Sequence, residues 1–368
     1  MENSLFQLLR IGLEIEPPTE GALDRISVLS KEQWQKLRDM SERQGVAAIA
    51  LDGLNRLVQD YGKESISPSI PADEWKMVML EWMGHLLMME QTNEVQKDVM
   101  EELAKKWVDA GCKVMVMKGQ ANGTFYPHPN HRSKGDIDCY LFENYAKGND
   151  IAREVGADVD ESWYKHSVIS YKGETFENHQ YFVHTRDGKG GKLLEKELEK
   201  ALNVDESQYG ALSEYVVIPP MQWTAMFLTY HACAHFVSEG LNLKQLLDWA
   251  MFLKAHQNEV DWPTYYEFCS RHHLTRFAEV STAIANEYLG VQIINRDIRY
   301  ESPYTERVLH SALYDNDYVF GSGKGNWYNR FHLIRNLWTY RWKYRDIYQM
   351  SPLRQLWYYA TGFIFKTE

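Results

Sequence analysis

The sequence predicts an α/β fold of the α+β kind, a small mixed sheet flanked by N-terminal and C-terminal helical regions. Three observations predict it. Residues 113–117 (KVMVM) alternate Val114 and Val116 with Met115 and Met117, which reads as a strand half or fully buried in a sheet. Two further β-prone runs, 163–171 (WYKHSVISY) and 175–185, meet at Lys172-Gly173-Glu174, a hairpin signal. On both sides of this middle part the apolar residues return every three or four positions, the helical period. The expected division is a helical region over 1–110, a core carrying the sheet over 111–215, and a helical domain over 216–368.

Within the first region, Ser4–Leu13, Ser30–Met40 and Gly45–Val58 carry the helical spacing, and Ser30 followed by Gln33 has the capping-box form. Pro68 and Pro71 mark a linker. Ala72–Ala110 is free of proline and long for one helix, so a kink near Gly84 is expected. Its Met77, Met79, Met83, Met88 and Met89 read as core filling. In the core, Asn144–Gly156 reads as a helix, Asp158–Glu161 as a solvated acidic loop, and 187–192 (DGKGGK) as a flexible turn that does not match the P-loop pattern. Met221–Val237, Asn242–His256, Trp262–His272 and Arg276–Leu289 read as helices. The aromatic and basic stretch Trp327–Phe365 reads as a helical pair packed on the body.

A chain of 368 residues suggests two or three units, and 44% hydrophobic residues with 12 tryptophans argue for true cores. A net charge of −11 argues against broad nonspecific nucleic-acid binding, which draws on clustered Lys and Arg. The four cysteines form no Cys-x-x-Cys pair and read as buried thiols of a reducing compartment. No basic segment followed by an apolar run opens the chain, and no stretch reaches the roughly 18–20 apolar residues of a spanning helix. A cytoplasmic location without a transmembrane segment is the expectation.

The chemistry concentrates in 118–138. Lys118-Gly119 ends the first strand, and glycine there permits a sharp turn and close backbone approach by a ligand. After a loop with Pro127, Pro129 and Asn130 come Arg132, Lys134 and then Asp136-Ile137-Asp138, which enter a second strand. Residues two apart on a strand share a face, so the two carboxylates project together and Ile137 turns into a core. Paired carboxylates suit Mg²⁺ or Mn²⁺. Of the acids downstream (Asp158, Asp160, Glu161, Glu174, Glu177), Glu177 alone falls inside a strand, with His179 on the same face.

This ordered set resembles the nucleotidyltransferases of the DNA polymerase β superfamily. Lys118-Gly119, Tyr126-Pro127, Arg132 and Gly135-Asp136-Ile137-Asp138 are similar to the bacterial family of uncharacterised nucleotidyltransferases. The run YHACAHF from Tyr230 and the later LLDWAMFL resemble that family's helical region, so the resemblance extends over about 30–290. Gln120 departs from the superfamily turn, which usually continues with Ser or Gly. The resemblance implies a polymerase-β-type sheet and transfer of a nucleotidyl group, most simply AMP from ATP or another nucleoside triphosphate, to an acceptor hydroxyl or phosphate. It implies that Asp136 and Asp138 hold Mg²⁺ or Mn²⁺ and that Glu177 is the third acid. Lys118, Gly119, Gln120 and Arg132 would then face the triphosphate. His179 would stand behind the metal or on the acceptor side, with His235 or Asp248 near the cleft. Two alternatives stand beside this: a catalytically silent nucleotide-binding module of the same fold, and a metal hydrolase built on His231 and His235. The second lacks the Glu that metalloproteases place after the first His, since Ala232 follows.

Overall fold

The computed structural model describes residues 1–185, 189–238, 240–315, 335 and 338–351. Helices α1 (Glu2–Gly12), α2 (Glu20–Ser27), α3 (Lys31–Arg43), α4 (Ala47–Tyr61), α5 (Lys63–Ile66) and α6 (Ala72–Asp109) precede the sheet. The sheet region holds β1 (Met115–Val116), α7 (Gln120–Gly123), β2 (Ile137–Tyr140), α8 (Tyr145–Glu154), β3 (Asp158–Asp160), β4 (His166–Tyr171) and β5 (Glu174–His179). It continues through α9 (Lys189–Leu202), β6 (Gly210–Ala211) and β7 (Val217–Ile218). Then come α10 (Met221–Ser238), α11 (Leu243–His256), α12 (Trp262–Arg271), α13 (Thr275–Glu287) and α14 (Thr305–Tyr314).

Among the described residues the strands form one mixed seven-stranded sheet in the order β3-β4-β5-β2-β1-β7-β6. The pairs β2–β5 and β1–β7 are parallel, and the others antiparallel. Its two faces bury different cores, as the alternation in 113–117 requires. Val114, Val116, Ile137, Cys139 and Phe176 join the second half of α6. There the Trp107 ring meets Phe176 edge-on at 6.1 Å and its Nε1 donates to the Gly148 carbonyl. Met115 and Met117 face the other way, into a helical core shared by residues from α1 to α4 and from α10 to α14. Asp138, between Ile137 and Cys139, is thereby turned toward the helices.

Local chemistry fixes the elements that carry the site. Ser30 and Gln33 form the expected capping box, and Asn242 with Gln245 forms a second at the start of α11. Each such cap contributes about 1 kcal/mol, and the second sets where Lys244 and Asp248 fall. Lys172 and Gly173 both take positive φ, 49° and 85°, as two-residue type I′ hairpins need. That turn fixes the β4–β5 register, in which His166 faces His179 and Val168 faces Glu177.

Several expectations are corrected. Asp158–Asp160 is an edge strand, because the hairpin leaves β4 a free edge that this exposed run pairs with. Glu174 is the first residue of β5, buried and ion-paired to Lys134. Lys189–Lys192 is the first turn of α9, and a Cβ at Gly191 would stand 2.3 Å from the His184 carbonyl, so that glycine serves helix packing. In α6, which is continuous from Ala72 to Asp109, Met77, Met83 and Met88 lie on the exposed side, outside the core. Most of 327–365 lies outside the described residues. Within 338–351, Trp342 packs edge-on against Phe236 at 5.7 Å while Trp338 is exposed.

His131 clamps the N-terminal helices over the sheet. Its Nδ1 lies 2.7 Å from Asp52 of α4 and its Nε2 2.8 Å from Glu90 of α6. Burial opposes the imidazolium, but the two carboxylates outweigh it and raise the His131 pKa above 6.5. A raised folded pKa contributes stability that is fully present below the unfolded value and lost as pH rises through the folded one. Glu90 is partly exposed, which weakens its share. His131→Ala should therefore cost about 1–2 kcal/mol near pH 6 and progressively less toward pH 9. Paired thermal melts across that range check this, and a pH-independent difference would contradict the clamp.

Candidate active site

The end of β1 and the start of β2 lie side by side. The Met117 amide donates to the Asp138 carbonyl at 2.9 Å. Gly119 takes φ +71°, which strains any residue with a Cβ, and its backbone runs beside the Asp136 carbonyl. The turn thus brings Lys118 over the carboxylate pair. Lys118 Nζ stands 2.8 Å from Asp138 Oδ2, an ion pair without hydrogen-bond alignment. Asp138 is almost fully buried, and Asp136 is open to solvent.

Glu177 on β5 is the direct parallel partner of Asp138, so both side chains leave the sheet on one face. His179, two residues on, reaches both: its Nε2 is 3.2 Å from Asp138 Oδ1 and 3.3 Å from Glu177 Oε2. His166 Nε2 lies 3.5 Å from Glu177 Oε1. Lys165 lies near Asp138 and Glu177, and burial pushes its pKa down.

The three acids differ electrostatically. Burial pushes Asp138 up, but Lys118 and His179 outweigh it and hold it well below the usual carboxylate range. Glu177 is likewise lowered by His179 against its burial. Asp136 goes the other way, raised by burial and by the charges of Glu177 and Asp138. Asp136 is thus the acid whose charge the protein leaves least compensated.

A cleft of about 460 Å³ opens beside the acids. Lys118, Gly119, Asp136 and Asp138 line its sheet side, and His231, His235, Lys244 and Asp248 line its helical side. Burial first, then Arg132 and Lys118, push the Lys244 pKa down to about 8. Arg132 lines the cleft too, but not as an open phosphate ligand. Its Nε and NH2 each donate to Asp248 at 2.7 Å, and the Tyr126 hydroxyl and Asn122 amide donate to the same carboxylate. Asp248 ties the loop before the acids to α11. Gln120 is turned away from the cleft and donates to Gln96, which in turn donates to the Gly135 carbonyl. The Nε2 atoms of His235 and His231 stand 3.2 Å apart. Among the described residues, the group of three side chains that can hold a metal ion is His166, Glu177 and His179, and no third residue closes such a group around His231 and His235.

Sequence reasoning missed Lys244 and His166. His166 was legible in principle, because counting back from a two-residue turn at Lys172-Gly173 puts it opposite His179. Lys244 carries no local signal, since only the packing of α11 on the sheet brings it to Asp136.

The family model described as uncharacterised nucleotidyltransferase matches residues 30–290. The chain belongs to that family. Comparison with curated proteins and with solved structures gave no match. The matched span runs from the Ser30 cap past the end of α13, so it takes in the described sheet and both walls of the cleft. The mixed sheet between helical regions is consistent with a nucleotidyltransferase-type fold. No helix among the described residues is long and apolar enough to cross a membrane.

Proposed function

We propose that the chain transfers a nucleotidyl group, AMP from ATP, to an acceptor hydroxyl or phosphate with the help of Mg²⁺ or Mn²⁺. The observation that carries this is the carboxylate cluster: Asp136 and Asp138 at the cleft, with Glu177 in register beside Asp138. The donor set fits a hard divalent cation, because Asp136 is raised by burial and then by the charges of Glu177 and Asp138, and a cation would relieve that repulsion. Held by Asp136 and Asp138, the cation would neutralise the triphosphate, and Glu177, in register beside Asp138, would hold a second ion that lowers the pKa of the attacking hydroxyl.

The chain's own groups supply the rest. In the reaction the acceptor hydroxyl gives its proton to solvent and its oxygen bonds to the α-phosphorus while the bond to the β-phosphate oxygen breaks, so pyrophosphate leaves with one further negative charge to balance. Lys118 and Lys244 face the cleft from opposite walls and offset that charge. The Gly119 backbone admits close approach of a phosphate that a side chain would block. Arg132 and Asp248 hold the 118–136 loop against α11, which keeps the two walls at a fixed separation.

Titration calorimetry of ATP, with Mg²⁺ and without it, tests this reading. Binding is expected only with the metal, and metal-independent binding would contradict the carboxylate site. The titration also has a defined pH dependence. Lys244 loses its proton as pH rises through about 8, so affinity should fall above that pH. Lys244→Met should weaken binding about tenfold or more at pH 7 and flatten the profile, the loss of one charge-assisted contact to phosphate. An unchanged profile in that variant would remove Lys244 from the phosphate wall.

A further inference from the structure

The acid on β5 does not stand alone. The hairpin register sets His166 and His179 opposite each other, and Glu177 lies two residues before His179, so all three side chains share the face that carries Asp138. Their ligand atoms lie within 4.8 Å of one another. Glu177 presents Oε1 to His166 at 3.5 Å and Oε2 to His179 at 3.3 Å. With metal–ligand bonds of about 2.0–2.2 Å, ligand atoms around one ion stand roughly 3–3.5 Å apart. Two of the three edges already have that length.

A second observation points to a cation. His179 Nδ1 lies 3.1 Å from the Tyr181 carbonyl, an acceptor only, which places the proton on Nδ1. Nε2 then faces oxygens of Asp138 and Glu177, both acceptors, in a position almost sealed from water. Facing two carboxylate oxygens, Nε2 carries either a proton, through which it holds Asp138 and Glu177 low, or a metal ion in that proton's place. A backbone carbonyl fixing the far nitrogen is also how metal-ligating histidines are commonly oriented. His166 lacks such support, since its Nδ1 is buried without a hydrogen bond, and it is the weaker of the two ligands.

We infer that His166, Glu177 and His179 form a binding site for a divalent first-row transition ion, next to the oxygen-only pair Asp136 and Asp138. Two imidazoles and a carboxylate favour such an ion over Mg²⁺, which takes oxygen ligands. The inference rests on the proposed transfer reaction only for its purpose: it makes the acceptor side of that site selective for a different metal from the triphosphate side. The binding itself is independent of nucleotide.

The test uses the chelator-stripped full chain and Mn²⁺ alone, followed by electron spin-echo spectroscopy for nitrogen coupling to the bound ion. The wild-type protein should show couplings from two imidazole nitrogens and bind Mn²⁺ at least tenfold more tightly than Mg²⁺. His166→Gln, with its fold checked by circular dichroism, should leave one coupling. Bound Mn²⁺ without nitrogen coupling in the wild type overturns the site, and this outcome needs no variant. If ATP binding still depends on Mg²⁺ in that case, the transferase reading survives it. Nitrogen-coupled Mn²⁺ in a chain that fails to bind ATP would uphold the site and overturn the transferase reading.

Discussion

Asp136→Asn should abolish metal-dependent ATP binding and lower turnover by about a hundredfold to a thousandfold, while leaving the metal-free protein at least as stable as the wild type. The two halves of this expectation have one cause. Asp136 is exposed as a residue but its carboxyl sits against the cleft, and that partial desolvation, with the charges of Glu177 and Asp138, raises its pKa. For an acid with a raised folded pKa, the folded state holds the proton more tightly than the unfolded state. Stability therefore falls as pH rises from the unfolded value near 3.8 through the raised one, and the ionised form carries that cost at neutral pH. Asparagine keeps the shape and removes the charge. A residue selected for folding alone would lose stability when replaced, whereas one retained for a ligand can gain it. Thermal melts of both proteins in chelator, beside calorimetry with Mg²⁺ and ATP, check the pair of effects. A strongly destabilised variant, or one that still binds ATP with the metal, would contradict the assignment.

The largest loss of stability should come from Asp248→Leu. Asp248 accepts from both Arg132 Nε and NH2 and from Tyr126 and Asn122, and both ends of the ion pair are buried. Removing the acid leaves a guanidinium without its counter-ion in the wall of the cleft. Breaking one side of such a buried pair costs about 3–5 kcal/mol. Replacing both sides by apolar residues of similar volume is often close to neutral, so Arg132→Met added to Asp248→Leu should recover most of the loss. Urea unfolding of the two single variants and the double variant measures the coupling. If the double variant is as unstable as the sum of the singles, the pair does not carry the α11–loop junction. If Arg132→Met alone leaves stability untouched, Arg132 is free for phosphate as the sequence had suggested.

The parts of the fold legible in sequence are those encoded by local rules. The Val and Met alternation in 113–117 gave β1 its two buried faces, Ser30 and Gln33 gave a cap, and Lys172-Gly173 gave the hairpin. Met77, Met83 and Met88 of α6 were misread because helical spacing identifies a stripe without saying what covers it, whereas Met79 does pack against the core. The run 158–161 was misread because its acids disfavour a strand locally and only the free edge of β4 recruits it. In the candidate site, Asp136, Asp138 and Glu177 were readable from spacing and from the resemblance. Arg132 was readable as a residue but not as half of an ion pair, since its partner lies 116 positions away on another helix. Lys244 reaches the acids through the same long-range packing, which no local pattern records.

The central claim is transfer of a nucleotidyl group, and the fate of the two ends of ATP tests it most directly. The protein is incubated with Mg²⁺ or Mn²⁺, a cell extract as the acceptor pool, and ATP labelled in parallel at the α- or the γ-phosphate. The expected result is α-label carried onto an acceptor and γ-label released as pyrophosphate, both lost in Asp136→Asn. Transfer of γ-label with formation of ADP, or α-label transfer that persists in Asp136→Asn, would contradict it.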